Sequence, residues 1–176
     1  MKKQSIFTIG HSTRSIEEFT ELVRTYNIQE VVDVRSIPKS RHNPQFNEET
    51  LKQSLQLAHI RYRGLEKLGG LRHSKKDSIN LGWHNTSFRG FADYMATMEF
   101  SEGLEALIKI ARVRGVAIMC AEAVPWRCHR SLIADALTKK GWLVRDIMSL
   151  TSATKHRLTP FLKIKEGLLI YPEPKI

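Results

Sequence analysis

An α/β fold is what this 176-residue chain predicts: a single domain with a mostly parallel, Rossmann-like sheet flanked by helices, closed by a small C-terminal hairpin. Three observations carry that prediction. Short β-rich apolar runs alternate with stretches whose apolar residues recur at helical spacing, the pattern of strands covered by helices. Residues 5–34 read strand, helix, strand, a succession that implies a right-handed parallel unit. Residues 115–131 then set an apolar run, a polar loop and the start of a helical repeat in direct succession. With 41% hydrophobic composition, the chain is long enough to bury a sizeable core.

The elements follow in order. Residues 5–9 make a buried strand that ends on Gly10, His11 and Ser12. Ser15 and Glu18 form a capping box, and Ile16, Phe19, Leu22, Val23 and Tyr26 give the helix that follows one apolar stripe. Asn27 stops it, and residues 31–34 form a second strand that includes Asp33 and runs out into Arg35 and Ser36 before Pro38. Residues 38–46 are basic and turn-rich and predict an exposed loop. Asn47 caps a helix whose Leu51, Leu55 and Ala58 share a face, and residues 60–62 suit a short third strand. Leu68, Gly69 and Gly70 open an aperiodic polar segment through Asn85, long enough that a functional role such as a lid is expected. Phe88, Phe91, Tyr94, Met95 and Met98 form one helical stripe, and Leu104, Leu107, Ile108 and Ala111 another, both read as core. The strand at 116–119 and the helix carrying Leu132, Ile133, Ala136 and Leu137 follow; Gly141 ends that helix and residues 142–147 make a further strand. Residues 161–165 and 168–171 alternate about Glu166 and Gly167 as the hairpin. No repeat, low-complexity tract or linker interrupts the chain.

Reactive chemistry concentrates between residues 115 and 131. Both cysteines, Cys120 and Cys128, stand there beside Glu122, Arg127, His129 and Arg130. In an open parallel sheet the carboxyl edge is where ligands bind, and a helix starting there offers unpaired N–H groups to an anion. His11 and Ser12 after the first strand and Arg35 after the second reach the same edge. Cys128 is the better reactive thiol, since a helix N-terminus with Arg127 and Arg130 alongside favours a thiolate, whereas Cys120 continues an apolar strand and suits a packed thiol. Asp33 and Arg35 lie two apart on one strand face, so a structural ion pair weighs as much as a ligand role for Arg35. The comparison with cysteine-dependent phosphatases and rhodaneses is weak: six residues separate Cys120 from Arg127, and Val124 and Pro125 stand where a flexible anion cradle needs glycine. A metal site built from Cys120, Glu122, Cys128 and His129 is disfavoured, because adjacent Cys128 and His129 would diverge on a regular element and cations lie close. No metal or cofactor is named by the sequence.

Lys and Arg total 28 against 18 Asp and Glu, a net charge of +10, so the expected partner is an anionic small molecule or a nucleic acid. The basic residues are dispersed, and solubility explains the excess about as well. There is no apolar run long enough to cross a bilayer and no signal pattern at Met1, Lys2 and Lys3; the expectation is a cytoplasmic protein whose two cysteines are thiols and not a disulfide.

The chain resembles the domain-of-unknown-function 488 family. The resemblance rests on residues 8–12, 32–35 and 43–46, on Leu68, Gly69 and Gly70, on residues 88–95, on 119–122 through Cys128, His129 and Arg130, and on 156–158. It implies an α/β protein and assigns no biochemical role. The residues themselves lead to an enzyme acting on a phosphate-bearing substrate, a nucleotide or nucleic acid. Arg35, Arg127 and Arg130, with Ser12 and Cys120, would bind it; His11 or His129 would move a proton, and Cys128 or Glu122 would act as nucleophile or base. The alternatives are a non-catalytic nucleic-acid-binding or repair-accessory protein and a thiol or metal sensor.

Overall fold

The computed structural model describes residues 4–176; Met1, Lys2 and Lys3, where the signal pattern was sought, lie outside the described residues. Six strands form one sheet: β1 (Ser5–Gly10), β2 (Glu30–Asp33), β3 (Arg61–Gly64), β4 (Val116–Cys120), β5 (Leu143–Ser149) and β6 (Ser152–Lys155). Their order is β3-β2-β4-β1-β5-β6, parallel throughout except where β6 returns antiparallel along β5. Two short antiparallel strands, β7 (Lys163–Lys165) and β8 (Leu168–Ile170), make the expected hairpin. β6 escaped the sequence reading because Ser152, Ala153, Thr154 and Lys155 form a polar edge strand with no apolar alternation.

The helices are α1 (Ile16–Thr25), α2 (Glu48–Leu57), α3 (Thr86–Tyr94), α4 (Met98–Ala111) and α5 (Arg130–Lys139). α1 starts at the capping box read from the sequence: Ser15 Oγ accepts from Glu18 N–H at 3.1 Å and the Glu18 carboxylate accepts from Ser15 N–H at 3.0 Å. Asn47 precedes α2 but does not cap it; its Oδ1 accepts from Ser40 N–H at 2.7 Å and ties down the preceding loop. The core divides by sheet face. Phe19, Leu22 and Val23 of α1 and Leu51 and Leu55 of α2 pack on one side. Phe91, Leu104, Leu107, Leu132 and Leu137 from the other three helices pack on the opposite side.

This division positions the site. The chain leaves β1 and β2 toward the face of α1 and α2, but leaves β4, which lies between them, toward the face of α5. Connections that diverge to opposite faces open a crevice at the carboxyl end of the strand between them, the switch point where open α/β sheets bind ligands.

Segment 69–85 has no regular structure yet is fastened at several points. Buried Asp93 accepts from Lys75 N–H at 2.8 Å, Ser78 Oγ at 2.6 Å and Asn80 Nδ2 at 2.8 Å, and Asn80 Oδ1 accepts from Tyr171 N–H at 2.8 Å. Among the described residues no helix is long and apolar enough to cross a membrane.

Candidate functional site

β4 ends on Cys120, a loop and a three-residue turn of 3-10 helix, Pro125–Arg127, follow, and α5 begins. The loop crosses the end of β1 so closely that a Cβ on Gly10 would lie 1.7 Å from the Glu122 carbonyl oxygen, which is why only glycine fits there. His11 N–H donates to Cys120 O and Ser12 N–H to Ala121 O, both at 2.9 Å, so the two strand ends hold each other.

Cys128 is extended (φ −136°, ψ 146°) and His129 helical (φ −58°, ψ −15°), and this break in regularity turns their side chains together. Sγ of Cys128 lies 3.6 Å from Nδ1 of His129 and accepts from Arg130 N–H at 3.4 Å. The expectation that adjacent Cys128 and His129 diverge is therefore corrected. Nε2 of His129 faces two carbonyl oxygens, Val34 O at 2.8 Å and Leu68 O at 3.0 Å, so that nitrogen carries a hydrogen and Nδ1 is left to exchange a proton with the thiol. The ring is clamped from both sides. Phe91 meets it edge-on at 5.0 Å, and a Cβ on Gly70 would fall 2.6 Å from Nδ1.

The two thiols have opposite tendencies. A hydrogen bond from Cys120 pushes the Cys128 thiol well below its ordinary value against the effect of burial, with the His129 side chain and the Arg130 charge acting in the same direction. Burial, reinforced by the neighbouring sulfur, pushes Cys120 well up. Of the two, Cys128 is the one whose thiolate is favoured. Both cysteines are free.

A hollow of about 470 Å³ opens over this pair. Arg35, Cys120, Glu122, Arg127, Cys128 and His129, six of the residues read from the sequence, line it. The other three, His11, Ser12 and Arg130, do not. His11 is 1% exposed, stacked 4.3 Å from Phe46, with Nδ1 bonded to Ser12 O at 2.8 Å and Nε2 facing Arg35 Nη1 at 3.4 Å. Donating from Nδ1 and accepting at Nε2 fixes it as neutral, in keeping with burial lowering its pKa. Ser12 holds a left-handed turn (φ 48°) beneath the loop. Arg130 is 1% exposed, gives Nη2 to Glu122 O at 2.8 Å and Nη1 to Thr8 Oγ1 at 3.3 Å, and has an Nε with no hydrogen-bond partner among the described residues.

Arg35 pairs with Asp33 through Nε at 2.9 Å and Nη2 at 2.7 Å, and Nη2 also donates to Phe46 O at 2.8 Å. Burial would lower its pKa, but Asp33 outweighs that and raises it. The ion pair expected of these two residues is present, and Arg35 also lines the hollow. Ser36, Ile37, Lys39, Gly70, Leu71, Ser87, Phe88 and Ala121 complete the lining and were not read from the sequence as site residues. Of these only Gly70 left a signal there: a glycine pair after a strand marks close backbone approach. On the far side of Arg35 a second hollow of about 510 Å³ is lined by Glu48, Glu66 and Glu102 with Lys67. Among the described residues no three His, Cys, Asp or Glu side chains gather as a metal-holding group.

Fold and site together define an α/β protein with a thiol–imidazole pair at the switch point of its sheet. Residues 15–137 match the family model described as Domain of unknown function DUF488, and the chain belongs to that family. Two of the motifs behind the resemblance, residues 8–12 and 156–158, flank the matched span. No curated protein and no solved structure matches the chain.

Proposed function

We propose that the hollow is the active site of a cysteine-dependent enzyme acting on a phosphate-bearing substrate, a nucleotide or nucleic acid. The observation that carries this reading is the setting of Cys128. Its sulfur takes the N–H of Arg130 at the start of α5, stands beside His129 Nδ1, and opens into a hollow edged by the cations Lys39 and Arg127. A thiolate so placed is a competent nucleophile, and exposed cations beside it suit a phosphate.

In this reading His129 takes the Cys128 proton, the thiolate attacks phosphorus, and the P–O bond to the leaving group breaks as His129 returns the proton to the departing oxygen. Glu122, on the rim, then takes a proton from the water that cleaves the S–P bond; the phosphate departs, the bonding pair returns to Cys128 as a thiolate, and exchange with solvent moves the Glu122 proton back to the thiol–imidazole pair. Arg127 and Lys39 hold the phosphate oxygens. Cys120 keeps its proton beside the thiolate, while the buried Arg35, His11 and Arg130 and the half-buried Ser12 act as the frame that positions the loop.

The test is a screen of nucleotides and oligonucleotides for phosphoester cleavage, with Cys128→Ser and Glu122→Gln measured on every substrate found. Cys128→Ser is expected to lower turnover by at least about 100-fold, the usual scale for a lost nucleophile or its acid–base partner. If neither substitution changes turnover, the reading fails, and a silent Cys128→Ser beside retained nucleic-acid affinity would favour a non-catalytic binding protein.

A further inference from the structure

Few of the exposed cations among the described residues of this molecule are paired. At the amino edge of the sheet Glu30 neutralises both Arg63, at 2.7 Å, and Arg114, at 2.8 Å, and along the α4 flank Lys67 pairs with Glu102 and Lys140 with Glu105. On the loops of the carboxyl edge the exposed cations Lys39, Arg41, Lys75, Lys76 and Arg127 have no carboxylate within 4.0 Å among the described residues. Exposed cations without an ion pair among the described residues also stand elsewhere, Lys52, Arg61 and Arg112 included, so what bears on an anion is that Lys39 and Arg127 edge the hollow itself.

The cavities on that edge are also linked. The hollow over Cys128 shares Leu71 and Ser87 with a smaller one of about 420 Å³, lined further by Arg72 and His73. A groove therefore runs from the reactive thiol toward the 72–76 loop, which is the basic direction. In the opposite direction, past Arg35, the carboxylates of Glu48, Glu66 and Glu102 would repel a phosphate chain. The last observation is aromatic. Trp126 is 65% exposed, the only aromatic side chain among the described residues that is largely exposed, and it precedes Arg127 on the turn beside the hollow.

We propose that the substrate is a single-stranded polynucleotide whose backbone follows this groove from Arg127 and Lys39 to the 72–76 loop, with an unpaired base stacked on Trp126. The proposal rests on the reading of the hollow as a phosphate-handling site and names the class of substrate. A continuous groove with unpaired cations along it suits a chain of phosphates better than a single nucleotide. An exposed indole beside it suits bases whose faces are free, which a duplex withholds.

The experiment is fluorescence anisotropy with a labelled oligothymidylate of about 12 nucleotides, within the usual site size for such a groove. Thymidine monophosphate and the oligothymidylate–oligoadenylate duplex serve as competitors. The single strand is expected to bind tightest. Trp126→Ala should weaken it about tenfold, the scale of one lost base stack, with the salt dependence unchanged. The double variant Lys75→Ala, Lys76→Ala should instead flatten the slope of log affinity against log salt by about 1.4, two single-strand phosphate contacts. Unchanged binding by Trp126→Ala, or mononucleotide or duplex competing as well as the single strand, would overturn the proposal. Cys128→Ser keeps the two readings apart. Oligothymidylate binding retained with no catalysis by the unsubstituted protein removes only the enzymatic reading, and Cys128-dependent turnover of a small phosphoester without single-strand affinity removes only this one.

Discussion

Three neighbours favour the thiolate of Cys128: the Cys120 thiol, the His129 ring 3.6 Å from the sulfur, and Arg130, whose N–H donates to it at 3.4 Å. Alkylation by iodoacetamide followed against pH should show Cys128 reacting with a midpoint below that of an ordinary cysteine thiol. In Cys120→Ala the midpoint should move up, because the substitution removes the neighbouring thiol that does most to favour the Cys128 thiolate. An ordinary midpoint in the unsubstituted protein would contradict the thiolate assignment. Gly70→Ala tests the clamp on the imidazole. Its new Cβ falls 2.6 Å from His129 Nδ1, so the ring must shift. A cost of about 1–3 kcal/mol in stability is expected from overpacking, together with slower Cys128 alkylation. Undiminished reactivity would show that the ring position is immaterial.

Among the elements, α5, β5 and the C-terminal segment are locked by one buried cluster. His156 Nε2 lies 2.8 Å from Asp135 Oδ1 and its Nδ1 3.7 Å from Asp146 Oδ2. Tyr171 and Thr159 hydroxyls donate to Asp135 at 2.9 and 2.7 Å, and Thr8 Oγ1 donates to Asp146 at 2.6 Å. Burial would lower the His156 pKa, but the two carboxylates outweigh it and lift it from 6.5 to about 9. A histidine raised on folding stabilises fully below its unfolded value and loses that contribution as pH climbs through its folded one. Urea unfolding should therefore show stability declining between about pH 6.5 and 9, and His156→Leu should abolish that decline. The same substitution leaves two carboxylates without their cation and should cost about 3–5 kcal/mol at neutral pH. A pH profile identical in both proteins would remove His156 from the account.

The same elements show what the sequence made legible. The α1 capping box, the Asn27 stop and the Gly141 break were readable because each depends on a residue and its close chain neighbours. The convergence of residues 11–12, 35 and 120–130 on one edge followed from parallel strands alone. What escaped depends on contacts distant in the chain. His11 and Ser12 serve the frame and not the hollow because Phe46 and the 120–123 loop cover them, and no local pattern announces that. Asn47 gave the right helix boundary for the wrong reason, since its side chain turns back to Ser40.

At the scale of the whole molecule, four loops from both faces of the sheet must meet for the site to exist: those after β1, β2, β3 and β4. The sheet order provides this by setting β4 between two strands whose connections leave on the opposite face. Bound polyphosphate should register that convergence. Inorganic pyrophosphate is expected to protect Cys128 from alkylation in the unsubstituted protein, and much less in the double variant Lys39→Ala, Arg127→Ala, which removes the two cations at the rim. The central claim, that the Cys128 sulfur attacks phosphorus, is tested most directly by acid-quenched intact-mass measurement during turnover of the p-nitrophenyl ester of thymidine 5′-monophosphate by Glu122→Gln. The account predicts p-nitrophenolate release in step with a thymidylyl adduct that peptide mapping places on Cys128. Release without any adduct on Cys128, or at the same rate in Cys128→Ser, would contradict it.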